Sequence, residues 1–192
     1  MARVVLMCLA GGALCCGCAT VRIPEAEQRS ESATLADNLC ALSPQVDPAE
    51  AERAAGAAVR YPLRLAREWH ATPPAVFNNV LVNAGIHPRG LCFQWADALT
   101  VKLMTLDMHT LDLHRGVADW GGRHEHSCVV VTGPGQDLAR GIALDAWRHC
   151  GRLNWAPVAR DKYAWREVEL MPGYKDELHA AAGKLAAQAG GP

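Results

Sequence analysis

The stretch Gly90-Leu91-Cys92-Phe93-Gln94-Trp95-Ala96 begins the segment that decides the fold. Side chains from here recur at helical spacing, at Cys92, Trp95, Ala96, Leu99, Leu103 and Leu106. Because positions i, i+3, i+4 and i+7 share one face of an α-helix, this spacing predicts a helix from Cys92 to about Leu106 with one buried stripe. The Cys92 thiol is placed in the first turn, where free N–H groups and partial positive charge favour an anion.

Helices are also predicted before this segment. Asp47-Pro48-Ala49-Glu50 is typical of a helix start, with an aspartate cap, a proline at the first position and Glu50 completing a capping box. This helix is expected to run to about Arg60. Pro62 is expected to kink or divide it, with a second part continuing to Trp69.

A third helical stretch follows the same start signal. Thr72-Pro73 opens it, the predicted helix runs from Pro73 to Ala84, and Gly85 is a natural stop.

The pattern then changes to short apolar runs between turns. Strands are predicted at 127–132, 142–145 and 163–170, and a closing helix at 175–188. Helices first and strands afterwards predict an α+β fold rather than a doubly wound sheet.

The composition limits the classes of function. Half of the 192 residues are hydrophobic, enough for one globular core, and the net charge is −1 with no long basic block. A nucleic-acid binder normally needs a basic face to neutralise phosphates, so nucleic acid is not an expected partner.

The first 19 residues predict export. Arg3 is followed by a short apolar run and then by small residues, which is the layout of a signal peptide rather than a membrane span. Leu14-Cys15-Cys16-Gly17-Cys18 resembles a bacterial lipobox with Cys18 as the lipidated residue; ordinary cleavage after Ala19 is the alternative. We expect a lipid-anchored chain facing the periplasm.

The remaining chain is predicted in two parts. Residues 20–46 are polar and proline-containing, and we interpret them as a tether and irregular lead-in. Residues 47–192 form the folded domain. The cysteines after the signal segment are Cys40 in the lead-in and Cys92, Cys128 and Cys150 in the folded domain. Export permits either two disulfides or one disulfide beside a reactive thiol.

Three side chains suit thiol chemistry. Cysteine attacks as a thiolate, so it needs a base for its proton and a carboxylate that fixes the base. Cys92 starts a helix, His126 enters one predicted strand, and Asp145 ends the next. If the two strands are neighbours, His126 and Asp145 meet at one edge of the sheet.

The ordered trio resembles the transglutaminase-like cysteine enzymes. The Gly90–Ala96 stretch is similar to their Gly-x-Cys-x-x-x-Ala opening, Glu125-His126 before the 128–131 run to their histidine strand, and Leu144-Asp145-Ala146-Trp147 to their aspartate strand. Separations of 34 and 19 residues are in keeping with compact members.

The resemblance covers about residues 75–150 and implies a papain-like fold, in which N-terminal helices and the Cys92 helix pack on a small antiparallel sheet. It also implies acyl transfer from a peptide or protein amide through a thioester, with Cys92 as nucleophile, His126 as base and then acid, and Asp145 as orienter. Oxyanion donors are expected at the Cys92 N–H and at Gln94 or Asn79.

Other polar and aromatic residues have simpler interpretations. Trp147 and Trp155 are expected in the core or the cleft wall, and His124 at the surface. Arg123, Arg148 and Arg152 are interpreted as solvated charges. His124, Glu125, His126 and Cys128 invite a metal, but without Cys-x-x-Cys or His-Glu-x-x-His no zinc site and no cofactor is predicted.

Two other functions remain open at this point. The first is a catalytically inactive envelope lipoprotein that uses the fold as a binding or scaffold module. The second is a cell-wall amidase of a related papain-like group, although Asp145-Ala146-Trp147 favours the transglutaminase-like branch.

Overall fold

The computed structural model describes residues 21–189. The predicted signal segment and the predicted lipidation site Cys18 therefore lie outside the described residues. Between residues 21 and 189, the chain forms five α-helices and a five-stranded antiparallel sheet, which confirms the α+β class. None of the helices between residues 21 and 189 has the length and hydropathy of a membrane span.

The helices follow the sequence signals closely at the cysteine segment. That helix spans Cys92–Met104, and the one before it, over Ala75–Asn83, is followed by Gly85 at a left-handed φ of +72°. The five helices are α1 Glu25–Cys40, α2 Pro48–Glu68, α3 Ala75–Asn83, α4 Cys92–Met104 and α5 Pro172–Ala189.

Two predictions about the N-terminal part are wrong. The lead-in is not irregular over 25–40, because α1 forms there and packs on α2 through fully buried Leu35 and Leu39. Pro62 does not divide α2. Buried Val59, Leu63 and other residues on both sides of the proline hold the helix in the core, which outweighs one missing backbone hydrogen bond.

Glu50 does not complete a capping box. Asp47 caps α2 by accepting from the Ala49 N–H at 2.9 Å, whereas Glu50 is only 2 % exposed and points across the fold. Its carboxylate accepts from the backbone N–H groups of His109 and Thr110, both at 2.8 Å. Burial acts to raise the pKa of Glu50, but these hydrogen bonds lower it below its ordinary value. Glu50 thus fixes the connection after α4.

Replacing Glu50 with alanine should lower the free energy of unfolding by about 2 kcal/mol, because two N–H groups lose a charged acceptor. Urea titration of the variant measures this loss. Glu52→Ala, at an exposed position of the same helix, is the control and should change stability by less than about 0.5 kcal/mol. Equal stability of the two variants would contradict the assigned role.

The sheet has the order β4-β3-β2-β1-β5. The strands are β1 Asp112–Ala118, β2 His126–Thr132, β3 Ile142–His149, β4 Arg152–Pro157 and β5 Arg166–Glu167. Strands were not predicted at β1 or β4, and the strand predicted over 163–170 is reduced to the two residues of β5. Short 3-10 helices lie at Leu138–Arg140 and Val158–Arg160.

Both faces of β2 are covered, which explains why all seven of its residues are buried. Val129 and Val131 join the core that contains Leu99 and Leu103 of α4. Cys128 and Val130 join a second cluster with Trp165. Helix α4 lies between α2 and the sheet, and its first residue lies beside the start of β2.

Candidate active site

Cys92 is the first residue of α4, and the loop before it is held firmly on two sides. The side-chain carbonyl of Gln94 accepts from the backbone N–H of Gly90 at 2.8 Å and of Leu91 at 3.0 Å. The Trp95 indole donates to the Gly90 carbonyl at 3.0 Å. Side chains later in the same helix therefore fix the backbone that presents the thiol.

Only glycine fits at position 90. Its φ is +139°, a region that L residues with a side chain rarely adopt, and an added Cβ would lie 2.2 Å from Nδ2 of Asn78. Asn78 is 1 % exposed and accepts from the Thr72 N–H at 3.0 Å, with Nδ1 of His87 2.9 Å from the same oxygen. The glycine of the predicted cysteine motif thus lets the chain pass a rigid buried amide.

His126 and Asp145 form a buried pair. Antiparallel pairing of Val129 with Leu144 makes β2 and β3 neighbours, and Nε2 of His126 donates to Oδ2 of Asp145 at 2.6 Å. Their side chains are 3 % and 1 % exposed. The ring centroid of His126 lies 4.6 Å from that of Trp147, 4.7 Å from Tyr163 and 5.3 Å from Trp165. The imidazole therefore packs among three aromatic rings.

The pKa of His126 is strongly shifted. Burial acts to lower it, but the hydrogen bond to Asp145 and then the interaction with the Cys92 thiol raise the pKa to about 9 from its ordinary 6.5. The thiol is half-buried, and its Sγ lies 3.9 Å from the carbonyl oxygen of Glu125, the residue before His126. Nδ1 of His126 has no hydrogen-bond partner within the described chain, so it is the nitrogen left for the thiol.

Asp145 also binds Arg148, which sequence reasoning missed. Nε of Arg148 donates to Oδ2 of Asp145 at 2.6 Å, and its Nη2 donates to Oδ2 of Asp161 at 2.5 Å. The Arg148 side chain is 10 % exposed, so its interpretation as a solvated charge is wrong. A register shift in β3 after Asp145 brings residues three apart into contact, and no pattern in the sequence predicts that shift.

The Arg148–Asp161 pair extends to these aromatic rings. The Arg148 guanidinium lies 4.7 Å from the Tyr163 ring centroid, and the Trp165 indole donates to Asp161 at 3.1 Å. Two of the rings around His126 are therefore held by the arginine and carboxylate behind Asp145. Nothing in the sequence links residues 161–165 to the site, because they follow β4 in an irregular connection.

The three cleft candidates, Gln94, Asn79 and Trp147, make different contacts. Gln94 uses its carbonyl to fix the loop, as described above. Oδ1 of Asn79 accepts from the Trp147 indole at 3.0 Å, so Asn79 touches the site through the ring that packs on His126. At the start of α4, neither side chain nor backbone within the described residues accepts from the Cys92 N–H.

The neighbours of the histidine take other roles. His124 is exposed, and its backbone N–H donates to Asp119 at 2.9 Å. Trp155 is partly buried against the main core. Arg152 is half-exposed and pairs with Glu27 and Glu31 at 2.8 and 2.6 Å.

The four described cysteines are all free thiols, so neither disulfide arrangement is formed. Cys128 and Cys150 are buried, and burial raises the pKa of both, that of Cys150 to about 11. Burial and the nearby Asp37 also raise the pKa of Cys40. Residues 21–189 contain no cluster of three or more histidine, cysteine or acidic side chains suited to hold a metal ion.

Comparison of the chain with protein-family models, curated proteins and solved structures gives no significant match.

Proposed function

We propose that this chain is a thiol-dependent amide hydrolase or acyl transferase of the papain-like, transglutaminase-like type. Cys92 is the nucleophile, His126 the general base and then acid, and Asp145 the residue that orients the histidine. The observation that carries the proposal is the buried 2.6 Å bond from Nε2 of His126 to Asp145, which leaves Nδ1 for the thiol beside it.

The arrangement assigns the proton movements. In the reactive form the Cys92–His126 pair carries one proton, which is held on Nδ1 of His126, so the Cys92 sulfur attacks the carbonyl carbon of the substrate amide as a thiolate. A ring with a pKa of about 9 holds that proton readily. The ring then gives the proton to the departing amine as the carbon–nitrogen bond breaks, leaving a thioester on Cys92. Water or a second amine, deprotonated by His126, releases the acyl group and restores the thiol.

The start of α4 supplies stabilisation for the oxyanion. The N–H groups of a first helical turn have no partner in the helix, and Gln94 already caps the loop N–H groups at 90 and 91. The Cys92 N–H stays available for the negative oxygen that forms on the attacked carbon. One such donor contributes about 10²–10³-fold to rate in acyl-transfer enzymes.

Alkylation by iodoacetamide tests the proposal. Cys92 in the full chain should be the most reactive of the four described thiols at pH 6.5, because burial suppresses the others. His126→Ala should slow alkylation of Cys92 at this pH by about tenfold or more, since the thiol loses its proton acceptor. Peptide mapping by mass spectrometry gives the rate for each cysteine.

His124→Ala is the matched control, because His124 is exposed and only two residues away. It should leave the alkylation rate unchanged. A rate for Cys92 that is the same in both variants would overturn the assignment of His126 as base.

We further propose that the chain is exported, is anchored by lipid at Cys18 and faces the periplasm, which rests on the N-terminal sequence pattern. In the mature protein purified from membranes, Cys18 should be the first residue, with a diacylglycerol on its sulfur and an acyl chain on its amino group. Intact-mass analysis measures this, and a free amino group on Thr20 would instead show ordinary cleavage after Ala19.

A further inference from the structure

Exposed apolar side chains are concentrated on the chain segments that carry the candidate site. Residues 21–189 contain seven exposed large hydrophobic residues, and six of them lie on three segments: α3 with the turn after it, the start of α4, and the 119–125 connection that leads to His126. These six, which we call the apolar rim, are Val76, Phe77, Val80, Ile86, Phe93 and Trp120. Exposed apolar patches on a soluble domain often mark interaction or ligand-binding sites.

Direct contacts tie two of these segments to the site. On α3, Asn79 bonds to Trp147, whose ring packs 4.6 Å from that of His126. Val76 lies one helical turn before Asn79, and Val80 lies one turn after Val76 on the same surface. Phe93, 46 % exposed, directly follows the nucleophile.

The third segment reaches the thiol from β1. Trp120, 65 % exposed, lies on the 119–125 connection. Glu125 ends this connection, accepts from the Gly121 N–H at 2.8 Å and has its carbonyl 3.9 Å from the Cys92 Sγ. The rim therefore has one part on α3 and α4 and another on this connection.

Charge does not favour an ionic substrate here. The ionised side chains on residues 75–93 and 119–125 are Arg89, Arg123, Asp119 and Glu125, so two positive and two negative charges cancel. A neutral, apolar ligand is left as the best match for the rim.

We propose that the acyl donor is a polypeptide whose side chains next to the scissile amide are apolar, held by the apolar rim while Cys92 attacks. This inference rests on the proposed function and specifies its substrate class. Two rim parts on separate segments suit the side chains of an extended chain, which project on either side of the reacting bond.

Two peptide vinyl sulfones of equal length test the substrate class. One carries leucine and the other asparagine, of similar size and no charge, at the two positions before the reactive group. The leucine probe should label Cys92 about tenfold faster than the asparagine probe. Mass spectrometry identifies the labelled cysteine.

A rim variant combining Val76→Ser, Val80→Ser, Phe93→Ser and Trp120→Ser should bring this ratio close to one without slowing iodoacetamide. All four side chains are exposed, so the fold should persist, and the thermal midpoint checks it. Met171→Ser is the control: the seventh exposed hydrophobic residue, 75 % exposed, lies just before α5 and should leave the ratio unchanged.

The outcomes separate the two proposals. Equal labelling by both probes, or a ratio unaffected by the rim variant, overturns the substrate class even when His126→Ala slows iodoacetamide. Loss of phosphatidylglycerol-vesicle binding in the rim variant, with the probe ratio retained, would assign the rim to a membrane and also overturn it. Failure of the proposed function shows instead as iodoacetamide labelling that ignores His126.

Discussion

Replacing Asp145 with alanine should lower the free energy of unfolding by about 3–5 kcal/mol and remove the elevated pKa of His126. The Asp145 carboxylate is 1 % exposed and accepts four hydrogen bonds, from the side chains of His126 and Arg148 and from the backbone N–H groups of Trp147 and Arg148. Its removal leaves a buried imidazole and a buried guanidinium without this partner.

Urea unfolding and a proton NMR titration of His126 measure the two effects. Asp145→Asn keeps the shape of the side chain and one carbonyl oxygen, so the variant should remain folded. Its His126 pKa should nevertheless be lower than in the unsubstituted chain, because the negative charge is gone. If Asp145→Ala lowered the free energy of unfolding by less than about 1 kcal/mol, the buried network would contribute little to stability.

Asp161→Ala separates the loss of stability from changes in the His126 pKa and in the reactivity of Cys92. Asp161 has a 1 % exposed side chain and binds the other side of Arg148, so its loss should also destabilise the chain. The bond between His126 and Asp145 remains in that variant. We therefore expect the His126 titration and the alkylation rate of Cys92 to change far less than in Asp145→Asn.

The parts of the site that the sequence predicts are those with local signals. The α4 stripe has helical spacing and the 127–132 run is strongly β-forming, so the positions of Cys92 and His126 follow from short-range patterns. Asp145 follows from the end of an apolar run. Their meeting depends on β2 and β3 being neighbours, which short connections favour.

What the sequence fails to predict is set by tertiary contacts. β1 contains Asp112, His114 and Arg115 and has no clear alternation, and it forms because β2 and β5 pair with it on both sides. α1 is polar along most of its length, and only a few side chains such as Leu35 and Leu39 attach it to α2. In both cases burial against a partner overrides weak local preference.

The same distinction explains the omission of Arg148. Arginine in a polar stretch is usually solvated, and only the register shift after Asp145 turns this one inward. The aromatic residues at 163 and 165 reach His126 from a segment after β4. The three candidate residues can thus be predicted from the sequence, whereas the side chains that surround them can be found only in the fold.

The stability of the chain should fall as pH rises from about 6.5 to beyond 9. The folded-state pKa of His126, about 9, lies above the ordinary value of 6.5, so folding favours the protonated ring. Its contribution is complete below pH 6.5 and disappears as pH rises through the folded pKa. Linkage gives a loss of up to about 3 kcal/mol over this window.

Urea unfolding at intervals between pH 6 and 9.5 measures this dependence, and two variants assign it. His126→Gln should flatten the fall, whereas His124→Gln should retain it because that side chain is exposed. Cys92→Ala removes one of the interactions that raise the His126 pKa, so the fall should begin at the same pH but end earlier. A fall that persists unchanged in His126→Gln would show that the proton is not held on this ring, and the base required by the thiol would then be missing.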